Sequence, residues 1–451
     1  MEINISNFNA IGNASVKLNG LTVIAGENDT GKSTVGKLIF AIVKAMRKYE
    51  HDFEIQKEKR VEKEVEKFYR LVRGFLLNYK GEARNWLRKE FFPKEFLIEL
   101  ERYISGIEKK ADSLMSIISH KHNIIEEYID ASVEKKLFLH ESIDKIKDII
   151  IEEEDVSALV SRALVEAIYS EFYGNIKSFD STISVNDDNL ELIKFKVQNA
   201  KVFGITLTDE YIDFDDTTFV ESSIYLQLND LVRNADTLLN SQQEKYILDD
   251  RSSYYKTIRP KVPLHIKDLM GKLEESKYFS DNFDLFSDSL LLSDVLNDIN
   301  EVIHGGFNFQ SRTKDFVLKR GADRIKSVNV ASGIKSFGIL QLLIQSGAIN
   351  ERSLLIVDEP ETNLHPKWQV EYAKMICKLV KADIPVLITS HSPYMIQALN
   401  HFSKEFGVEE KTNFYLAEKN DSGKSDIKDV TNDLNQIFQT LSQPLTELVW
   451  Q

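Results

Sequence analysis

The sequence predicts an α/β protein: a mixed sheet flanked by helices and interrupted by two large helical insertions. Three observations carry this. The β-branched apolar run "LTVIAG" (Leu21 to Gly26) leads into a glycine-containing loop and then an amphipathic segment. Two more short apolar runs, Ser353 to Val357 and Ile384 to Ser390, stop abruptly on polar residues, as buried strands of a parallel sheet do. Between them, long charged stretches place apolar residues at three- and four-residue steps, a helical period.

With 451 residues the chain exceeds one simple core, so two domains or one domain with large insertions is expected. The 42% hydrophobic content is enough to pack such a core. A net charge of −14 argues against a protein that coats nucleic acid over its whole surface. The single cysteine, Cys377, sits in an apolar helical pattern and reads as a core residue, which excludes a disulfide framework or a thiolate metal site. The start, "MEINISNFNAIGN", lacks a basic region followed by an apolar one, and no apolar run approaches the roughly eighteen residues of a membrane span. The expectation is a cytoplasmic protein without a membrane partner.

Gly26, Gly31, Lys32 and Ser33 satisfy G-x-x-x-x-G-K-[ST] within "AGENDTGKST". The strand before and the helix after, with Val35, Leu38, Ile39, Ile42 and Val43 on one face, give the context this pattern requires. Glycines let backbone N–H groups converge on phosphate oxygens, and the helix N-terminus adds partial positive charge. The expected nucleotide-binding set is Gly26, Asn28, Thr30, Gly31, Lys32, Ser33 and Thr34, with Lys32 on the β- and γ-phosphates and Ser33 on Mg²⁺. ATP and Mg²⁺ are thus the expected cofactors.

The strand Ser353 to Val357 ends in Asp358-Glu359, a Walker B arrangement: Asp358 as metal ligand, Glu359 polarising the attacking water. The strand Ile384 to Ser390 ends at His391, at the edge where parallel sheets bind ligands, so His391 is placed to sense the γ-phosphate. Glu359 and His391 are the expected catalytic residues. Ser332-Gly333 opens a further amphipathic helix; Ser332 reads either as a plain N-cap or as a contact to phosphate held by another copy. In "DEPE", Asp358, Glu359 and Glu361 could also suggest a two-metal nuclease, but the apolar strand and the upstream loop favour ATP.

These four elements, in this order, resemble the ATP-binding cassette and SMC class of ATPases. That resemblance implies two heads enclosing two ATP molecules, with Ser332 and Gly333 acting in trans. "ASGIKSF" departs from transporter signatures, lacking the leading leucine and the glycine-glutamine pair. A Q-loop residue is not assigned; Glu221 or Gln227 in "TTFVESSIYLQL" lie in roughly the right place. Phe8 is a weak candidate for stacking on adenine and a better core residue. The wording of "INISNFNAIGNASVKLNGLTVIAGENDTGKST", "ASGIKS", "DEPETNLHP" and "TSHSPYMIQAL" resembles the overcoming-lysogenisation-defect family and the ATPase subunits of the antiphage systems Septu and PARIS. This covers about the first forty residues and Asn329 to Asn400. It implies a homodimer or larger homo-oligomer and a separately encoded effector nuclease.

The expected organisation is a head N-lobe over 1–46, a helical insertion over 47–178, antiparallel strands over 179–223, a second insertion over 224–303 and a head C-lobe over 304–451. In the first insertion, Leu97, Leu100, Ile104, Ile107, Ala111, Leu114 and Ile118 make a heptad-like seam that either folds back as a bundle or pairs with a second subunit. In the second, Arg259, Lys261, Lys267 and Lys272 form either a solvated face or a nucleic-acid or partner surface. An SMC-like DNA-repair ATPase that binds DNA directly is the alternative, which the charge does not favour. A transporter subunit or non-hydrolysing scaffold fits the insertions poorly. No acidic cluster with metal-site spacing follows His391, so no fused Toprim nuclease is expected.

Overall fold

The apolar run at Leu21–Gly26 becomes the middle of a sheet because nothing in it tolerates water: every residue is buried. A computed structural model describes all residues except 77–78, 105–110, 152–155, 174–175, 177–179, 188–189, 199–200, 209–211, 238–260, 280–289 and 450–451. The chain divides into two compact units, Met1–Arg47 with Val160–Gln451, and Lys48–Leu159.

In the first unit, β1 (Glu2–Phe8), β2 (Ile11–Lys17) and β3 (Leu21–Gly26) precede α1 (Lys32–Leu76), whose later turns belong to the second unit. The second unit continues with α2 (Gly81–Glu90), α3 (Pro93–Ile104), α4 (Ala111–Tyr128) and α5 (Val133–Ile151). The chain re-enters the first unit through α6 (Val156–Phe172), followed by β4 (Ser181–Asp187), β5 (Leu190–Gln198), β6 (Lys201–Leu207) and β7 (Asp216–Val220). Then come α7 (Asn229–Asn234), the short pair β8 (Asp236–Thr237) and β9 (Lys261–Val262), α8 (Leu264–Phe279) and α9 (Leu290–Ile303). A small antiparallel sheet of β10 (Gly306–Gln310), β11 (Asp315–Arg320) and β12 (Asp323–Lys326) leads to α10 (Ser332–Gln345). The rest is β13 (Ser353–Asp358), α11 (Pro366–Lys381), β14 (Val386–Ser390), α12 (Pro393–Glu405), β15 (Thr412–Lys419), β16 (Ser425–Asp429) and α13 (Asn435–Val449).

The main sheet has eleven strands in the order β6-β5-β4-β1-β2-β16-β15-β3-β14-β13-β7. From β15 to β7 all neighbours are parallel, and from β6 to β2 all are antiparallel. The expected mixed sheet is therefore present. β7, expected among the antiparallel strands of 179–223, pairs parallel to β13 instead, because a long excursion separates it from its partner. Against one face pack α10, α11 and α12, whose Phe337, Leu340, Ile376, Leu379 and Leu399 join Val23, Val357 and Ile388 in one core. Cys377 is buried there, as expected.

The second unit has a core of its own: Val61, Val65, Phe68 and Val72 of α1 meet Phe91, Leu100, Leu114, Ile118 and Ile143. Of the heptad-like seam, Leu100, Leu114 and Ile118 lie in this core, whereas Ile107 falls outside the described residues. α1 is one helix of 45 residues and does not stop near Ala45, since no glycine, proline or cap interrupts it there. Helix α6 belongs almost wholly to the first unit, not to the insertion expected over 47–178.

For Lys267 and Lys272 neither reading of the basic residues in the second insertion holds, whereas Lys261 is exposed. Lys272 is buried, 2.7 Å from Asp216, 3.1 Å from Asp268, and donating to the Thr217 carbonyl. Lys267 donates to the carbonyls of Val232, Arg233 and Ala235 at the end of α7, where orphaned carbonyls and the helix dipole favour a cation. Lys261 lies in β9, and Arg259 is outside the described residues. No described helix is long and apolar enough to cross a membrane.

Candidate functional site

Strand register decides what meets at the sheet edge. Val357 pairs with Val220, Asp358 with Thr389, and Ser390 with Ala25, so the next residues of four adjacent parallel strands emerge together: Glu221, Glu359, His391 and Gly26. This is the carboxyl edge, where open α/β sheets bind ligands.

The loop from Gly26 to Gly31 is held from within. Thr30 Oγ1 donates to the Glu27 carbonyl at 2.8 Å, and Asp29, at φ 62°, pairs with Lys419. Gly31 has φ 79°, and a Cβ there would come within 2.5 Å of Ile11 Cδ1, so any other residue would be strained and would clash. Asn28 is exposed, whereas Ser33 and Thr34 are half-buried in the first turn of α1. Lys32 is 3% exposed; its Nζ donates to the carbonyls of Gly26 at 3.0 Å and Glu27 at 2.7 Å and lies 3.7 Å from Glu359 Oε1. Burial lowers its pKa, opposed by Glu359, Asp358 and Glu361. Two carbonyls thus stand in for the anion that a buried ammonium would prefer.

Asp358 is buried, which raises its pKa, although hydroxyls of Thr389 and Ser33 donate to it. Glu359 has a left-handed backbone, φ 47°, held by its N–H donating to the Thr389 carbonyl and Oγ1, both at 3.1 Å. Such a conformation in a residue with a Cβ persists only where its surroundings impose it. His391 Nδ1 lies 3.5 Å from Glu359 Oε1 and 3.2 Å from Glu361 Oε1, without the alignment of a hydrogen bond.

From the sequence, Glu361 is expected to favour the following helix N-terminus or to organise a dimer loop with Asn363 and His365. Instead it is buried and reaches forward, its Oε1 accepting from Ser390 Oγ at 2.8 Å, the His391 N–H at 2.6 Å and the Ser392 N–H at 3.1 Å. It fixes the loop that carries His391 and the entry to α12; His365 itself caps α11. Thr389, which ties Asp358 to Glu359, was also missed; a threonine at a strand end gives no sequence signal. Glu361→Ala is expected to destabilise the protein by about 2 to 4 kcal/mol, because one change leaves three donors without their acceptor. Calorimetric melting checks this, and a loss under about 1 kcal/mol would show that water replaces the carboxylate.

Ser332 is the first helical residue of α10 and not its N-cap; Ala331 holds that position without a side-chain bond. Ser332 accepts through its carbonyl from Ser223 and Ser336. Gly333 is buried against Trp368, where a Cβ would approach the ring to 3.0 Å. Gln227 is engaged by Lys335, whereas Glu221 lines a cleft with Ser223, Ser336, Asp358 and Glu359. Phe8 is fully buried edge-on to Phe172 and is a core residue.

The family model for the AAA ATPase domain matches residues 1–396. The chain belongs to the AAA ATPase domain family. The carboxyl-edge residues described above, from Gly26 to His391, all lie within the matched part of this AAA ATPase domain protein. Septu protein PtuA of Bacillus thuringiensis is 29% identical over 160 residues, covering 32% of this chain and 36% of that protein. The match thus spans about a third of the curated relative's length. Among solved structures, the SMC head domain from Thermotoga maritima aligns with a TM-score of 0.36 at 9% identity, covering 95% of this chain and 98% of that one. The Smc head domain with a coiled coil and joint derived from Pyrococcus yayanosii aligns with a TM-score of 0.36 at 11% identity, covering 98% and 99%.

Proposed function

We propose that this AAA ATPase domain protein is a Mg²⁺-dependent ATPase of antiphage defence. Two copies enclose ATP between their heads, and turnover controls a separately encoded effector, a nuclease. The observation that carries the reading is the convergence of Lys32, Ser33, Asp358, Glu359 and His391 at one sheet edge. The donor set suits a magnesium nucleotide: a buried ammonium hydrogen-bonded to two carbonyls beside Glu359, and a buried carboxylate beside the Ser33 hydroxyl. Ser33 and Asp358 would hold Mg²⁺, and the loop N–H groups with Lys32 would hold the phosphates. Bound Mg²⁺ would neutralise phosphate charge.

Each remaining role falls to a residue of the chain. Glu359 accepts a proton from the attacking water, and Thr389 keeps its backbone in place. His391, positioned by Glu361, lies beside Glu359. Ser332 and Gly333 begin α10, whose N-terminus offers N–H groups to phosphate held by the second copy. The similarity to the Septu protein supports the defence role and the separate effector.

Mixing variants tests the trans arrangement. Lys32→Ala and Ser332→Arg are each expected to be inactive, while their mixture regains activity, since a mixed dimer holds one intact composite site. A mixture as inactive as its parts would sink the two-copy site. Parent activity in Ser332→Arg alone would remove Ser332 from it.

A further inference from the structure

Behind Glu221 lies a buried chain of charged groups that the ATPase reading does not use. His265, near the start of α8, is fully buried, edge-on to Phe40 and tilted against Phe219. Its Nδ1 lies 2.5 Å from Glu171 Oε2 and its Nε2 3.0 Å from Glu221 Oε2. Glu171, the penultimate residue of α6, is also fully buried, and its other oxygen accepts from the His265 backbone N–H at 3.1 Å. Beside it, Ser170 Oγ accepts from the Leu264 N–H at 2.9 Å. The end of α6 therefore satisfies the first N–H groups of α8, and Glu171 places a negative charge at that positive helix end.

Glu221 is where this chain reaches the site. Its side chain is 34% exposed and lines the cleft that holds Asp358 and Glu359. Lys37, on the helix that Lys32 begins, donates to Glu221 Oε1 at 3.1 Å, and the Tyr225 hydroxyl donates to Oε2 at 3.2 Å. A third carboxylate beside Asp358 and Glu359 would be repelled and turned outward unless cations hold it. Lys37 is one. His265 lies on the other side: burial favours its neutral form, but its hydrogen bonds to the Glu171 and Glu221 carboxylates outweigh this and raise its pKa, favouring the charged imidazole.

We propose that His265 and Glu171 are positioning residues for the ATPase site, holding the Glu221 carboxylate in the catalytic cleft and tying it to the end of α6. This deepens the ATPase reading and rests on it. A shift of α6 would loosen both His265 and the start of α8, and with them Glu221, while the phosphate loop keeps its own bonds.

The test is a double-variant cycle on the full chain, with phosphate release measured at saturating MgATP. His265→Gln and Glu221→Gln are each expected to lower kcat about 10- to 100-fold, the range for partners that orient a site's ligands. KM for ATP stays close to the parent value. Because His265 acts through Glu221, the double variant is no slower than Glu221→Gln alone. A merely structural role would make the two factors multiply and would overturn the proposal, as would parent kcat in His265→Gln. If His265→Gln does not fold, the same cycle is run with Glu171→Gln, with the same expected non-additivity and the same overturning results. A parent protein that neither binds nor hydrolyses ATP would sink both readings; an active parent with an unaffected His265→Gln sinks this one alone.

Discussion

Replacing Glu359 by glutamine is expected to lower ATP turnover by about 10²- to 10⁴-fold while ATP binding survives. Glutamine keeps the size of the side chain and its ability to bond to water, but it does not take a proton at neutral pH. The backbone at φ 47° is fixed from outside by Thr389, so the substitution leaves the local conformation alone. The carboxylate stands 3.7 Å from Lys32 Nζ and 3.5 Å from His391 Nδ1, which supports the proposal that it serves as the base. The lost charge also removes a partner of Lys32, which Asp358 and Glu361 still support. Two measurements check this: phosphate release, and size-exclusion with light scattering in MgATP. On the proposed two-copy mechanism, the variant should accumulate an ATP-closed dimer. Turnover at the parent rate would remove Glu359 as the base.

How much of this was legible in the sequence follows from how far apart the interacting residues lie. The strand at Leu21–Gly26 and the loop after it carry local signals, an apolar run and a glycine pattern, and the structure places them where those signals said. β13 and β14 were legible for the same reason, within one or two residues at their ends. By contrast, β16 (Ser425–Asp429) has no apolar run; it is a strand because β15 and β2 bracket it. Lys267 and Lys272 look like surface charge until α7 and Asp216 arrive from elsewhere. Glu361 meets its donors some thirty residues along the chain, and Glu171 meets His265 across 94. Periodicity sees the faces of elements, not the polar groups that tertiary packing brings between them.

Replacing Lys32 by alanine is expected to abolish the stabilisation that ATP confers while changing the ligand-free protein little. Two opposed effects act without nucleotide. The Gly26 and Glu27 carbonyls lose a donor, which costs about 1 to 3 kcal/mol if nothing replaces it. Against this, a buried ammonium is itself costly to desolvate, and burial is the largest influence on the Lys32 pKa. With nucleotide the balance changes. Lys32 is the buried cation at the loop, and its removal leaves the triphosphate facing Asp358, Glu359 and Glu361 with less countercharge. At an ATP concentration about 100 times the parent Kd, linkage gives the parent about 2.7 kcal/mol of added stability. The variant should gain almost none of it, and thermal melting with and without MgATP measures the difference. Full ATP protection in Lys32→Ala would move nucleotide recognition away from this loop and take the assignment of Ser33 and Asp358 with it.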